Sequence, residues 1–302
     1  MKFAVTGGAG FVGSNIVKLL LLKNHEVIVI DNLHTGRKEN LEEVLDQIEF
    51  HNTDIRNFED LENSLKDVDG IFHEAALTIV QESFIKQKEY FDVNVQGTEN
   101  IFEIAKEYDI KVVFASSSSI YGNSKKIPIN EESERNPINP YGETKLEDEF
   151  LAEKFSKEGV RIIGLRYFNI FGKGQTGSYA GVITQFMNRI TKNENLRVFG
   201  DGEQIRDFIH VEDIAKANLK AMESEENFGF FNIGTGNPTS INKLAKIMIE
   251  ISDSNLDAVH KDALQGDVKE SLANTKKTKN DLKWKYSIEL KDGLKKLIDE
   301  WE

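Results

Sequence analysis

The chain has 302 residues, no cysteine, and 51 acidic against 38 basic side chains, so its formal net charge is −13. The lack of cysteine excludes a disulfide framework, a thiolate nucleophile and a zinc–thiolate site. Because nucleic-acid-binding proteins usually carry a basic stripe, this acidic balance argues against a nucleic-acid partner. An anionic ligand would therefore need a site that supplies its own positive potential.

The hydrophobic pattern of the N-terminal half is typical of a parallel sheet with crossover helices. Strands are predicted at Phe3–Thr6, Glu26–Ile30, Ile48–Phe50, Gly70–His73, Lys111–Ala115 and Arg161–Leu165. Helical patterns lie between them at Phe11–Leu22, around Leu41 and Leu61, and at Phe91–Tyr108 and Tyr141–Lys157. This alternation predicts an α/β fold with a Rossmann-type, doubly wound parallel sheet of these six strands.

The pattern changes after Arg166. Helical patterns at Val182–Ile190, Val211–Met222, Ile241–Ile251 and Ile288–Trp301 follow, with short strands at Arg197–Phe199, Asp207–His210 and Phe230–Ile233. We expect a Rossmann domain over residues 1–166, with segments returning to it near 207–234, and a smaller mixed α/β substrate lobe over residues 167–302. No apolar run approaches membrane length, and the N-terminus reaches glycine before a signal-type region develops, so we expect a cytoplasmic protein.

A glycine-rich loop follows the first predicted strand and opens the first helix. Gly8, Gly10 and Gly13 satisfy the dinucleotide fingerprint, and Gly7, Gly10 and Gly13 satisfy its variant in extended reductases. Such glycines let the backbone approach a pyrophosphate at the free amides of a helix N-terminus. Asp31 ends the second strand, where an acid accepts hydrogen bonds from a ribose diol and repels a 2′-phosphate. The sequence therefore predicts NAD rather than NADP as the cofactor.

A second set of residues has the pattern of an acid–base site. Tyr141 and Lys145 are four residues apart on a predicted helix, and Ser117 lies at the ligand-binding end of the fifth strand. A tyrosine base needs its pKa lowered from ~10 to near neutrality, which costs about 4 kcal/mol. An ammonium ~4 Å away supplies ~4 kcal/mol at an effective dielectric near 20. We therefore expect Tyr141, Lys145 and Ser117 to be catalytic, with Ser117 sharing the proton of a substrate hydroxyl.

The histidines do not cluster, and the sequence predicts no metal site. His73 and His210 lie in strand-end motifs and are interpreted as structural residues.

Eight motifs then occur in an order that is specific as a set. They are Thr6–Gly13 (TGGAGFVG), Asp31–Leu33 (DNL), Asp54-Ile55, His73–Ala76 (HEAA), Ser116–Gly122 (SSSSIYG), Tyr141–Lys145 (YGETK), Arg166–Asn169 (RYFN) and Arg206–Val211 (RDFIHV). With them, nearly the whole chain resembles the extended short-chain dehydrogenase/reductase family, and within it the UDP-hexose (UDP-glucose or UDP-N-acetylglucosamine) 4-epimerases.

The resemblance implies which residues hold each ligand. The cofactor NAD would contact Gly7, Gly10, Phe11, Val12, Gly13, Asp31, Asn32, Leu33, Thr35, Gly36, Asp54, Ile55, Ala75, Ala76, Leu77, Asn94, Ser117, Tyr141, Lys145 and Phe168. The nucleotide sugar would contact Thr78, Ser117, Ser118, Tyr141, Asn169, Val182, Arg197, Val198, Phe199, Arg206, Asp267 and Ser271. By the same resemblance, Asn169 and Arg206 face the diphosphate, and Val182 and Arg197–Phe199 hold uracil and ribose.

The residues after Ser117 distinguish reaction classes in this family. Sugar-nucleotide 4,6-dehydratases carry Asp-Glu there for the elimination of water, and UDP-glucuronate decarboxylases keep a Glu, whereas this chain has Ser118-Ser119. The resemblance therefore implies 4-epimerisation. Tyr141, aided by Ser117, removes the proton of the sugar 4-hydroxyl while C4 passes hydride to NAD⁺. Hydride then returns to the opposite face of a transient 4-keto sugar.

Two positions bear on the substrate. Where the family commonly has Arg-Pro-Gly-Asp, this chain reads Leu264–Asp267, so a diphosphate-binding arginine is missing. Either Arg206 and lysines such as Lys261 or Lys269 compensate, or the diphosphate is bound more weakly, or the substrate differs. Ser271 is small where a bulky residue excludes N-acetylated sugars, which implies room for UDP-GlcNAc and UDP-GalNAc beside UDP-Glc and UDP-Gal.

The resemblance also implies a homodimer through the helices near 81–108 and 141–158, although a buried core face would give the same apolar pattern. Two other functions remain as alternatives. One is another NAD-dependent nucleotide-sugar dehydratase or reductase of the same family. The other is a non-catalytic, dinucleotide-sensing regulator, and such regulators typically lack the Tyr/Lys pair that this chain has.

Overall fold

The computed structural model of the protein describes residues 1–175, 181–263 and 268–301. In these ranges the strands are β1 (Lys2–Thr6), β2 (Glu26–Ile30), β3 (Glu49–His51), β4 (Gly70–His73), β5 (Lys111–Ser117), β6 (Ile162–Tyr167), β7 (Asn169–Phe171), β8 (Leu196–Phe199), β9 (Ile205–Arg206), β10 (Phe208–His210), β11 (Phe228–Ile233), β12 (Thr239–Ser240) and β13 (Ala258–Lys261).

The helices in the same ranges are α1 (Phe11–Leu22), α2 (Phe58–Leu65), α3 (Val80–Ser83), α4 (Gln87–Tyr90), α5 (Gly97–Glu107), α6 (Pro140–Lys157), α7 (Val182–Thr191), α8 (Val211–Glu223), α9 (Ile241–Ile251), α10 (Lys276–Asp281) and α11 (Leu290–Asp299). A π-helical segment (Phe91–Gln96) joins α4 to α5, and 3-10 segments lie at Lys38–Gln47 and Ser118–Tyr121. None of the described helices has both the length and the apolar character to cross a bilayer.

The main sheet contains seven parallel strands in the order β11-β6-β5-β4-β1-β2-β3. Successive side chains of a strand point to opposite faces, so a strand covered on both sides is apolar throughout. In β1, Phe3 and Val5 pack in a cluster with residues of α1 and α8, whereas Ala4 packs in a second cluster with α5 and α6. The helices therefore cover both faces, as expected for a doubly wound sheet.

The Rossmann-type fold class is confirmed, and the structure adds details to the predicted elements. The sheet has one strand more than the six predicted, because the segment predicted at Phe230–Ile233 forms β11 beside β6. The helical pattern around Leu41 forms a 3-10 segment, and the pattern at Phe91–Tyr108 begins with a π-helical turn.

The remaining strands form three small pairs, β7 with β10, β9 with β12, and β8 with β13. Strands β7, β8 and β10 and helices α7, α9 and α11 form a separate apolar cluster that includes Phe186, Leu196, Met248 and Leu294. The connection from β6 through β7 places this part of the chain at the carboxyl edge of the main sheet, where doubly wound folds bind their ligands.

Candidate active site

The glycine loop joins β1 to α1 at the centre of the sheet. Gly7 has a φ of 65°, in the left-handed region that glycine adopts without a steric cost, and its carbonyl accepts the Gly10 amide at 2.9 Å. A Cβ on Gly13 would lie 2.2 Å from the Gly7 carbonyl oxygen. No side chain caps α1, so the first amides of the helix, at Phe11 and Val12, have no helical partner. This arrangement suits a pyrophosphate.

Asp31 follows β2 and is only 7% exposed. Its Oδ2 accepts the Ala9 amide at 3.0 Å and its Oδ1 accepts the Leu33 amide at 2.7 Å. Burial raises the pKa of Asp31, and these two amides partly oppose that rise. A Cβ on Gly36 would lie 2.7 Å from the carboxylate, so glycine lets the loop containing Thr35 pass close to Asp31. The carboxylate is thus held rigidly, and each oxygen keeps a lone pair for a ribose hydroxyl.

The loop after β3 borders the same cleft. Asn32 donates to Asp54 at 2.9 Å, and Arg56 forms two further bonds with Asp54 at 2.8 and 2.7 Å. Arg56 holds the pKa of Asp54 well below its usual range, despite partial burial. Ile55 is buried, and a Cβ on Gly97 of α5 would lie 2.5 Å from its Cδ1. The predicted cofactor residues of this loop are therefore fixed by their own contacts.

Asn94, in the π-helical segment, ties the loop after β4 to α6. Its side chain accepts the Leu77 amide at 2.8 Å and donates to the Leu77 carbonyl at 3.0 Å and to Thr144 at 3.0 Å. Ala75 and Ala76 precede Leu77, and the Ala75 amide lies 2.7 Å from where a Gly7 Cβ would stand. Thr78 follows at the exposed side of this loop. The carboxyl ends of β1 and β4 thus meet at one edge.

The three predicted catalytic residues lie on β5 and α6. Ser117 ends β5 with its side chain buried, and its Oγ accepts the Ser119 amide at 3.1 Å. Asn139 caps α6 by accepting the Gly142 amide at 2.8 Å. Tyr141 and Lys145 follow in α6, one helical turn apart, and Tyr141 is partly exposed whereas Lys145 is buried. The helix packs on the Ser118–Tyr121 segment, since a Gly142 Cβ would lie 2.9 Å from the Ser119 carbonyl oxygen.

The charge on Lys145 follows from its neighbours. Burial lowers its pKa, but the Asp148 carboxylate, 3.0 Å from its Nζ, and Tyr141 outweigh that effect, so the pKa is raised. His73 responds in the opposite direction, since burial and the charge of Lys145 lower its pKa to about 3. His73 bridges Thr6 at 2.7 Å and Thr98 at 2.9 Å. Its geometry is that of a structural residue, as interpreted from the sequence.

The predicted substrate residues Asn169 and Arg206 lie on neighbouring small strands. The backbone amide of Asn169 donates to the Asp207 carbonyl at 2.9 Å, at the start of the β7–β10 pair. Arg206, in β9, is 9% exposed and donates to the Ile205 carbonyl at 2.7 Å. The Asp207 carboxylate accepts bonds from elsewhere, including 2.8 Å contacts from the amides of Thr235 and Gly236. The Asp207 carboxylate is therefore held by the turn that follows β11.

The other substrate residues are spread over the C-terminal lobe. The Ser271 amide donates to the Ile205 carbonyl at 3.0 Å, which places the small, buried Ser271 beside Arg206. Val182 is the first residue of α7, and in β8 Val198 packs in the apolar core while Arg197 is exposed and Phe199 is partly exposed. Phe168, which is predicted to contact the cofactor, is buried beside Ile120 and Ala273. Asp267 and Leu264 lie outside the described residues.

Comparison with known proteins identifies the family. The sequence model described as the NAD dependent epimerase/dehydratase family matches residues 3–234. This chain belongs to that family. A putative UDP-glucose 4-epimerase of Methanocaldococcus jannaschii is 40% identical over 98% of this chain and 96% of its own length.

Two solved structures of the family are similar over their whole length. A UDP-glucose 4-epimerase of Thermotoga maritima, with UDP-glucose, is 36% identical, covers 99% of this chain and 98% of its own, and superposes with a TM-score of 0.95. A UDP-N-acetylglucosamine 4-epimerase of Methanobrevibacter ruminantium, in complex with UDP-N-acetylmuramic acid, is also 36% identical with a TM-score of 0.95, covering 99% and 97%.

The cofactor of this NAD-dependent epimerase/dehydratase family fits the residues at the sheet edge. The glycine loop leaves no room for a side chain between α1 and β1. The Asp31 carboxylate lies where it can accept hydrogen bonds from a ribose diol and repel a 2′-phosphate. Within the described residues, no group of three or more acidic or histidine side chains is placed to hold a metal ion.

Sequence reasoning missed two acidic side chains of the site. Tyr167 donates to Glu74 at 2.9 Å, and desolvation raises the pKa of Glu74 to about 8. Asp148 is fully buried against Lys145. A signal existed for each, since Glu74 directly follows His73 in the HEAA motif and Asp148 lies three residues after Lys145 on the same helix.

Proposed function

We propose that this member of the family is an NAD-dependent UDP-hexose 4-epimerase. The observation that carries the proposal is the pairing of Tyr141 with a buried, charged Lys145 on α6, against the segment that begins at Ser117. That segment continues with Ser118-Ser119, which have no carboxyl for the elimination of water. A redox cycle that uses Tyr141 and Ser117 fits this set of side chains better than elimination or decarboxylation does.

In the proposed reaction, Tyr141 acts as a phenolate that the Lys145 ammonium stabilises, and it becomes a neutral phenol when it accepts the proton of the sugar 4-hydroxyl. NAD, held at the glycine loop and Asp31, would supply the acceptor and donor of the C4 hydride. The Ser117 hydroxyl holds the reacting oxygen and shares its proton. After the 4-keto sugar has turned its other face to the cofactor, Tyr141 returns the proton and C4 is inverted. No net oxidation occurs.

The nucleotide of the substrate is inferred from the C-terminal lobe and from the relatives. Asn169 lies in β7 and its backbone amide donates to the carbonyl of Asp207, the residue after Arg206, and a guanidinium binds a phosphate in a bidentate manner. The relatives named above include a UDP-glucose 4-epimerase solved with UDP-glucose. Together these features support a UDP-sugar with Arg206 on its diphosphate.

The decisive test is turnover by Tyr141→Phe. The purified protein and this variant would each be incubated with UDP-Glc, UDP-Gal, UDP-GlcNAc and UDP-GalNAc, and the products separated by chromatography. We expect the variant to bind NAD normally and to lose epimerisation by several orders of magnitude, because Phe cannot carry the proton. Tyr108→Phe is the matched control, since Tyr108 lies exposed at the end of α5.

The same incubations separate the alternatives. Near-normal epimerisation by Tyr141→Phe would reject the assigned base. Stoichiometric consumption of NADH would indicate a reductase, and a dehydrated keto-sugar product a dehydratase. Tight NAD binding without turnover of any nucleotide sugar would favour a dinucleotide-sensing regulator.

We also propose that N-acetylated sugars are accepted. Ser271 is small, is 8% exposed and lies beside Arg206. A relative of similar fold is a UDP-N-acetylglucosamine 4-epimerase. Ser271→Tyr should depress activity on UDP-GlcNAc more than activity on UDP-Glc, because the phenol would fill the space of the acetamido group. Ser271→Ala is the matched control, and an unchanged ratio of the two activities in the tyrosine variant would reject the proposal.

A homodimer through α4–α5 and α6 is the last element of the proposal. Phe84, Ile85, Phe91 and Phe150 lie on or beside these helices and are 48%, 86%, 45% and 43% exposed. A contiguous exposed apolar patch marks an interface, and we propose that these four side chains contribute to one. Light scattering on the protein as it elutes from a sizing column should give twice the mass of one chain for wild type and the mass of one chain for Phe91→Glu. A wild-type mass of 34.3 kDa would reject the dimer.

A further inference from the structure

Asp148 is a buried carboxylate that the proposed mechanism does not use. Its side chain is 0% exposed, and its Oδ2 lies 3.0 Å from the Nζ of Lys145, which is 4% exposed. The other oxygen, Oδ1, is buried without a hydrogen-bond partner. The Thr98 hydroxyl faces Asp148 but donates its proton to the Asn94 carbonyl. Leaving a buried carboxylate half-satisfied costs stability, so its presence beside the site calls for an explanation.

We propose that Asp148 is a positioning residue of the active site, which fixes the Lys145 ammonium in place and offsets its charge. This inference rests on the role of Lys145 in the proposed epimerase reaction. A lysine has four rotatable side-chain bonds, and the short contact with Asp148 restricts the ammonium to one place in α6. This compensation of the Lys145 charge by Asp148 matters because the charge of Lys145 also determines how readily Tyr141 gives up and takes back its proton.

The groups that surround Asp148 make it the charged partner of Lys145. On α6 the neighbouring Glu149 is already paired with Arg166 through two bonds of 2.8 Å. From β4, His73 is held neutral, and α5 contributes the uncharged Thr98. The remaining carboxyl, Glu74, acts on Lys145 through space and is itself hard to ionise.

The pH dependence of the reaction follows from this arrangement. Burial raises the pKa of Asp148 to about 6, although Lys145 opposes the rise, so Asp148 is negative above pH 6. A negative charge increases the proton affinity of both Tyr141 and Lys145. Removing it should therefore shift the acid and the alkaline limbs of the kcat profile in the same direction, to lower pH. At an effective dielectric near 20, a unit charge about 10 Å away shifts a neighbour by roughly one pH unit, and the shift grows to about four units at the 3.0 Å that separates Asp148 from Lys145.

The first experiment compares Asp148→Asn with wild type over the pH range of activity. Asparagine keeps the shape and removes only the charge, so the acid limb should move down by about one pH unit and the alkaline limb, which Lys145 governs, by more, with kcat altered more than KM. Asp148→Glu should restore the limbs toward their wild-type positions. Asp213→Asn is the matched control, since Asp213 is a buried carboxylate 3.1 Å from Lys216, three residues away on α8. It should lower stability without moving either limb.

A second measurement observes Lys145 without any substrate. In protein labelled with ¹³C at lysine Cε, the signal missing from Lys145→Arg identifies Lys145. In wild type this signal should sense a group that titrates near pH 6, and in Asp148→Asn that inflection should vanish while the lysine itself loses its proton at lower pH. This readout tests the contact with Asp148 even when no nucleotide sugar is turned over, a result that would reject only the proposed function.

Two results would overturn the proposal. One is a kcat–pH profile of Asp148→Asn whose acid and alkaline limbs coincide with those of wild type, while only the melting temperature is lowered, as in Asp213→Asn. The other is a Lys145 signal in wild type that senses no titrating carboxyl at any pH at which the protein is folded, which decides the question even where the asparagine variant does not fold.

Discussion

Gly13→Ala is the sharpest test of the cofactor loop. A Cβ at this position would lie 2.2 Å from the Gly7 carbonyl oxygen and 2.8 Å from both the Gly7 carbonyl carbon and the Gly8 Cα. Ordinary contacts begin near 3.4 Å, so the turn must open by about 1 Å, and all three obstructing atoms are backbone. Overpacking of this kind costs ~1–3 kcal/mol, which exceeds the gain of about 1 kcal/mol from alanine's helix propensity.

The displaced atoms belong to the turn that would hold the pyrophosphate, so cofactor binding should suffer more than folding. We expect the Kd for NAD to rise at least ~30-fold, corresponding to about 2 kcal/mol, with a fall in Tm of a few degrees. Isothermal titration calorimetry and thermal denaturation measure the two effects. Gly181→Ala is the control at the N-terminus of α7, where a Cβ meets nothing closer than 3.4 Å. A Gly13→Ala protein with wild-type Kd and Tm would refute the reasoning.

Three further variants test the surroundings of the site. The pKa of Glu74 rises on folding from 4.5 to about 8, so the stability that its protonated form contributes is fully present below pH 4.5 and is lost as pH rises through 8. Glutamine has no carboxyl to ionise, so Glu74→Gln should gain stability relative to wild type as the pH rises from 5 to 9. Urea denaturation measures this, and parallel curves of unfolding free energy against pH would contradict it. Arg166→Met leaves the Glu149 carboxylate buried without its two 2.8 Å bonds and should cost ~3–5 kcal/mol, partly recovered by adding Glu149→Gln. Asn94→Ala removes the bonds to Leu77 and should weaken NAD binding while kcat is largely kept; an unchanged Kd for NAD would argue against the link.

The features that could be predicted from the sequence are those encoded locally. The strands of the main sheet are continuous apolar runs, because both faces are covered, and Tyr141 and Lys145 share a helix face at a spacing of four residues. The glycine loop is also local, since its turn requires glycine at Gly7 and Gly13 for reasons of backbone geometry alone.

The missed features depend on contacts between distant segments. The strands β9 and β12 have two residues each, and only their mutual pairing defines them. Burial raises the pKa of Glu74, and the hydrogen bond that partly opposes this rise comes from Tyr167, 93 positions later in the chain. Asp148 looks like a solvated helix residue in the sequence, and only the packing of α5 and β4 against α6 makes it a buried partner of Lys145.

The proposed site must hold two anionic ligands although the protein as a whole is acidic. Lys145, a cation at the centre of the site, is compensated by Asp148, and Arg166, another buried cation, is compensated by Glu149. Neither pair adds much net positive potential. In the proposed site, the pyrophosphate of the cofactor would be held by the uncapped amides of α1, whose dipole acts over a turn or so, and the diphosphate of the substrate would contact Arg206. Both sources act within a Debye length of ~8 Å, so the net charge of −13 opposes the approach of the ligands without deciding their binding.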